Sequence, residues 1–115
     1  LVAFAGILRK NEYMESLIEK KLDAVIQLCR MHHVAKLEVF GSAARGDFNE
    51  SSDIDFLVEF DKEADPRRFD NFFELLRAFE QLFNRRVDLV EPGGLRNPYL
   101  IQRINQSRKE IYVAA

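Results

Sequence analysis

Helix-like and strand-like segments alternate along this chain, which predicts an α/β or α+β fold: a small mixed β-sheet flanked by helices. Three observations carry that expectation. Apolar residues recur at three- and four-residue steps in three stretches, short runs of β-formers separate those stretches, and glycine or proline punctuates the junctions.

From Met14 to about Met31, Leu17, Ile18, Leu22, Val25, Ile26 and Cys29 fall at helical spacing among Glu, Lys and Arg, the pattern of an amphipathic helix. Lys36 to Phe40 reads as a strand that stops at the tight turn Gly41-Ser42, and Ala43 to Gly46 can add one helical turn. Ile54 to Phe60 is rich in β-formers and nearly continuously apolar, as expected of a central strand buried on both faces. Asp65-Pro66 has the form of an N-cap followed by a first-turn proline. Phe69, Phe72, Phe73, Leu76, Phe79, Leu82 and Phe83 then repeat with helical period to about Asn84, with Leu75 off the main stripe. Arg86 to Glu91 contains Val87-Asp88-Leu89-Val90, a third strand closed by the turn Pro92-Gly93-Gly94. Asn97-Pro98 caps a third helix with Leu100, Ile101 and Ile104 inward, and Glu110 to Ala114 fits a last short strand.

No repeat, low-complexity tract or linker interrupts the series, so residues 1–115 are expected to form one domain, with 1–12 a flexible or cloning-derived start. A hydrophobic content of 47% in 115 residues supplies one core and leaves no room for a second domain. Seventeen Lys and Arg against nineteen Asp and Glu give a net charge of -2, so no overall basic field is present to hold nucleic acid. The single cysteine, Cys29, excludes an internal disulfide, reads as a small core hydrophobe, and suits a reducing cytoplasm. The apolar run Leu1 to Leu8 lacks a basic segment before it and meets Arg9 and Lys10 directly after it, unlike a signal peptide. It also falls short of the roughly 20 apolar residues that span a bilayer. A cytoplasmic protein without a membrane partner is expected.

Alternating side chains put Asp53 and Asp55, at the head of the central strand, on one face. Two carboxylates so close repel one another, and a divalent cation is the usual remedy. Their hard oxygens suit Mg²⁺, which takes one or two carboxylates and completes its shell with substrate phosphates. Asp88 faces away from Val87 and Leu89 and can meet the pair across a neighbouring strand. Three converging carboxylates suggest a two-metal site, with ions roughly 3.5–4 Å apart, for in-line phosphoryl displacement. Gly41 permits a sharp turn and close approach to a phosphate, the Ser42 hydroxyl and nearby N–H groups can donate to triphosphate oxygens, and Arg45 can add a charge-assisted contact.

Gly41-Ser42, ten intervening residues and then Asp53-Ile54-Asp55 resemble the signature of the DNA polymerase β nucleotidyltransferase superfamily. Within it, Gly41-Ser42-Ala43-Ala44-Arg45-Gly46 followed by Ser52-Asp53-Ile54-Asp55 and Phe56-Leu57-Val58 is similar to the minimal nucleotidyltransferases paired with HEPN proteins in prokaryotic toxin–antitoxin modules. Arg86-Val87-Asp88-Leu89-Val90 stands where that family carries its third aspartate. The resemblance implies a polymerase β-like fold, ATP as the substrate and AMP as the transferred group. It also implies an acceptor, a tyrosine on a cognate HEPN toxin, with this chain as the antitoxin. A partner or a second copy of the chain would have to complete the acceptor site, since relatives that bind acceptors alone use further domains. Two other readings remain open at this stage: a binding antitoxin with little catalysis, and a subunit modifying a small hydroxyl compound such as an aminoglycoside.

Other residues take plainer expectations. Asp47 and Glu50 read as solvated loop, His32-His33 as a polar pair at a helix end, and Arg67-Arg68 and Arg85-Arg86 as solvated pairs with a lesser role at a triphosphate. The phenylalanine-rich second helix reads mainly as core, with a partner surface as the lesser alternative.

Overall fold

The structure, a computed structural model, describes residues 17–41, 51–61 and 68–114. Residues 17–20 are helical, and after a turn at Lys21 the helix α1 runs Leu22–Met31. There follow β1 (Val34–Phe40), β2 (Ile54–Phe60), α2 (Arg68–Phe83), β3 (Val87–Val90), a 3₁₀ turn at Pro92–Gly94, α3 (Pro98–Ser107) and β4 (Lys109–Val113). The three expected helices and four expected strands are present within the described residues. The expected helical turn at Ala43 to Gly46, the Asp65-Pro66 cap, the loop acids Asp47 and Glu50, and the start at 1–12 lie outside them.

The four strands form one mixed sheet in the order β3-β2-β1-β4. β1 pairs antiparallel with β2 and β4, whereas β2 and β3 run parallel, joined through α2 as a β-α-β crossover. Helix starts and stops follow local chemistry. The Asn97 side chain accepts from the Tyr99 and Leu100 amides at 2.9 and 3.4 Å, with Pro98 in the first turn. His33 and Asn84, both at positive φ, end the helices before them in left-handed conformation.

One face of the sheet carries the main core, where Leu37 and Val39 of β1 and Ile54, Phe56 and Val58 of β2 pack against Val25 and Cys29 of α1 and Leu75, Phe79 and Phe83 of α2. Phe56 stacks obliquely on Phe79, ring centroids 5.0 Å apart. Leu75 is fully buried, so the expectation that it lies off the stripe is corrected: the innermost line of α2 is Asn71, Leu75, Phe79 and Phe83, at strict four-residue steps. Phe73 is the residue turned out, at 49% exposure. The opposite face is only partly covered, by α3, which packs Ile104 on Phe40 and Leu57. The central strand is thus apolar on its inner face and mixed on the other, where Asp55, Leu57 and Glu59 alternate. This half-open face holds the acidic residues.

Cys29 is fully buried in the core, and burial pushes its thiol up to about 12, as expected of a packing residue. His32 also has a structural place: Asn71 Nδ2 donates to the His32 carbonyl at 2.7 Å, and Asn71 Oδ1 lies 2.8 Å from His32 Nδ1. Those two bonds tie the end of α1 to α2. Among the described residues no helix is long and apolar enough to cross a membrane.

Candidate active site

Three strand ends meet at one edge of the sheet: β1 finishes at Phe40-Gly41, and β2 and β3 begin. Parallel register sets Asp55 opposite Asp88 and Ile54 opposite Val87. Alternation then puts Asp53, Asp55, Arg86 and Asp88 on the face that α3 half covers, while Ile54 and Val87 fill the core behind them. The apolar neighbours in the sequence fix which way the carboxylates point, because a one-residue slip would bury all of them.

The Asp55 and Asp88 carboxyl groups lie within hydrogen-bonding reach of each other. Asp55 is half-buried, and its pKa is pushed up to about 7, first by burial, then by the hydrogen bond and charge of Asp88 and the charge of Asp53, with Arg103 opposing. Asp55 therefore holds its proton up to near neutral pH unless a cation takes its place. Asp53 sits at the rim, its Oδ2 4.0 Å from Arg86 Nε, with both side chains well exposed. Beside it Arg85 Nη1 donates to the Ser52 carbonyl at 3.1 Å, so Arg85 buttresses the head of β2 and is not the solvated residue expected.

Gly41 has φ +73, and a Cβ there would run into the Asp55 carboxylate, meeting Oδ2 first and Cγ at 3.2 Å. Only glycine fits, for reasons of both backbone conformation and space. Its N–H donates to Ser107 Oγ at 3.2 Å, and that hydroxyl donates to the Arg103 carbonyl at 2.8 Å, so one serine pins the turn after β1 to α3. Ser42 and Arg45 lie outside the described residues.

A cleft of about 280 Å³ opens over the two carboxylates, lined by Phe40, Asp55, Asp88, Leu89, Val90, Leu100 and Arg103. A second hollow of about 430 Å³, lined by Phe72, Leu89, Val90, Glu91, Gly93 and Gly94, adjoins it through Leu89 and Val90. Sequence reading missed Arg103 and Ser107. The signal available was their spacing: Leu100, Arg103, Ile104 and Ser107 follow a three-four-seven pattern that puts all of them on the sheet side of α3.

Among the described residues, no group of three or more His, Cys, Asp or Glu side chains is gathered closely enough to hold a metal by itself. The donor chemistry fits Mg²⁺ in its usual manner, which is one or two carboxylates with substrate oxygens completing the shell. Asp55 and Asp88 supply the adjacent pair, and Asp53 stands next to them at the rim.

This sheet, with its acidic edge beside a glycine turn, belongs to an enzyme class that moves nucleotidyl groups: the nucleotidyltransferase domain family matches residues 18–111, and the chain belongs to that family. A solved structure provisionally described as a minimal nucleotidyltransferase superposes with a TM-score of 0.66 at 34% identity, covering 84% of this chain and 93% of that one. A Methanocaldococcus jannaschii protein provisionally named a protein adenylyltransferase is 34% identical, the match covering 76% of this chain and 94% of the relative. The protein adenylyltransferase MntA of Thermococcus cleftensis is 39% identical over 56% of this chain and 62% of its own length. A toxin–antitoxin crystal structure with AMP-PNP shares the fold, with a TM-score of 0.62, 23% identity, and coverage of 81% of this chain and 73% of that one.

Proposed function

We propose that this protein transfers AMP from Mg-ATP to a hydroxyl acceptor, a tyrosine of a helical HEPN-type toxin, and that it acts as the cytoplasmic antitoxin of that pair. The observation that carries the reading is the register pairing of Asp55 with Asp88 beside the Gly41 turn, in a chain of the nucleotidyltransferase family. The relatives named protein adenylyltransferases support the nucleotide and the class of acceptor.

In this reading the acceptor oxygen attacks the α-phosphorus of ATP, the bond to the bridging oxygen breaks, and pyrophosphate leaves with the electron pair. Mg²⁺, held by Asp55, Asp88 and Asp53, would neutralise the phosphate oxygens and lower the pKa of the attacking hydroxyl. The chain's own residues do the rest. Asp88, the more exposed carboxylate of the pair, receives the proton of the acceptor hydroxyl. Gly41 lets the backbone approach the phosphates, and Ser42 and Arg45 donate to them. Asp53 is held at the rim by Arg86 until substrate arrives. The half-open face leaves space for an acceptor, which a partner chain or a second copy of this one can supply.

The test is incubation with labelled ATP, Mg²⁺ and the cognate helical protein, repeated with Asp53→Ala and Asp55→Ala. Label on the partner's tyrosine that both variants lose is the expected result. Neutralisation of the toxin by wild type and both variants alike, without label, would establish a binding antitoxin instead.

A further inference from the structure

α3 contributes more to the site than a cover. Leu100 and Arg103 line the cleft together with Asp55 and Asp88, and among the described lining residues Arg103 is the only cation. Its side chain is exposed, and among the described residues it forms no salt bridge with either carboxylate. The backbone beneath it is fixed: Ser107 Oγ donates to the Arg103 carbonyl at 2.8 Å while accepting from Gly41 N–H at 3.2 Å. This guanidinium faces the two carboxylates across a cleft of about 280 Å³, and its charge already eases the repulsion on Asp55 without an ion pair to hold it there. Two carboxylates alone would repel a polyanion, and an arginine offers forked donors that match phosphate oxygens.

We infer that Arg103 binds the polyphosphate of the nucleoside triphosphate, anchoring it from the α3 side of the cleft. The inference rests on the proposed nucleotidyl transfer and deepens it by assigning a phosphate contact outside the Gly41-Ser42 segment. The bond between Ser107 and Gly41 then has a second meaning, since it ties the helix that carries Arg103 to the glycine at the end of β1. Arg103 makes no covalent change; it orients the chain of phosphates and draws charge toward the leaving pyrophosphate.

Calorimetric titration of wild type, Arg103→Ala, Arg103→Lys and the exposed control Gln102→Ala tests it, with Mg-ATP, Mg-tripolyphosphate and AMP as probes at one ionic strength. Loss of the arginine is expected to weaken Mg-ATP and Mg-tripolyphosphate by on the order of ten- to a hundredfold. AMP binding should be nearly unchanged, with Lys intermediate and the control like wild type. Thermal stabilisation by Mg²⁺ alone should survive in Arg103→Ala, since the carboxylates remain. Equal triphosphate binding by Arg103→Ala and wild type, in a protein that transfers label, overturns this inference and leaves the transfer reading standing. A wild type that binds neither triphosphate probe overturns both.

Discussion

Asp55 and Asp88 stand side by side on the parallel strands β2 and β3, their carboxyl groups within hydrogen-bonding reach, so that each is the other's nearest acidic neighbour across the ladder. Folding brings them together at a cost. In the unfolded chain Asp55 ionises as an ordinary carboxylate; half-buried beside Asp88 in the sheet, it gives up its proton less readily unless a cation relieves the repulsion.

The cost has a definite sign in pH. The folded-state pKa of Asp55 is raised from 3.8 to about 7, so the folded state holds the proton more tightly. Its contribution to stability is full below about 4 and is lost as the pH rises through about 7. In the absence of divalent cations, Asp55→Asn is therefore expected to melt higher than wild type at pH 8, with the difference closing toward pH 4. Mg²⁺ at pH 8 should raise the melting temperature of wild type more than that of the variant. Melting curves from pH 4 to 9, with EDTA or Mg²⁺, read both; a variant that melts below wild type at pH 8 in EDTA would contradict the account.

Gly41→Ala should damage stability and binding together. The left-handed conformation costs a non-glycine residue about 1–2 kcal/mol, and the added methyl also displaces the Asp55 carboxylate it would strike. Urea unfolding is expected to show at least that loss, with Mg-ATP affinity falling in parallel. A fully stable Gly41→Ala with wild-type affinity would mean the turn relaxes freely.

How far the sequence foretold the site follows from these residues. Asp55 and Asp88 lie as strand alternation predicts, because apolar neighbours on both sides of each leave one orientation, whereas Asp53 precedes β2 and has an apolar neighbour only in Ile54. That Asp88 pairs with Asp55 in register needed the parallel crossover through α2, a long-range fact no local pattern contains. Arg103 and Ser107 were passed over because polar residues on a short terminal helix look like solvated surface until the sheet beneath is known. Leu75 was misplaced for a different reason. With Phe69, Phe72, Phe73, Phe79 and Phe83 on one helix, several stripes are apolar enough to face inward, and the packing against the sheet and α1 decides among them.

That correction is open to measurement. Leu75→Ala removes a fully buried side chain and is expected to cost roughly 2–5 kcal/mol in urea unfolding. Phe73→Ala, at a site 49% exposed, should stay within about 1 kcal/mol. The reverse order would place Phe73 in the core.

Beyond the active edge, one ion pair holds α3 to the sheet. Arg108 follows that helix, and its Nε and Nη2 donate to Glu38 Oε2 and Oε1 at 2.9 and 2.5 Å, while Lys36 Nζ lies 3.7 Å from Oε1. Glu38 is buried, which alone would raise its pKa, yet the hydrogen bond and charge of Arg108, with Lys36, more than offset burial and hold it below 4.5. A lowered carboxylate contributes stability above its unfolded pKa and loses it as the pH falls through the folded value. Arg108→Leu leaves the carboxylate buried with Lys36 alone, and the loss at pH 7 should be about 2 kcal/mol, tempered by the partial exposure of Arg108. The gap between wild type and variant should shrink as the pH falls and the variant's Glu38, no longer held down by Arg108, takes up a proton. The double variant Glu38→Leu/Arg108→Leu should recover most of the loss, because it removes the stranded charge and adds apolar contact beside Leu57 and Ile104. Urea unfolding at pH 4 and pH 7 separates the possibilities: a double variant as weak as Arg108→Leu at pH 7 would assign the loss to packing and not to charge.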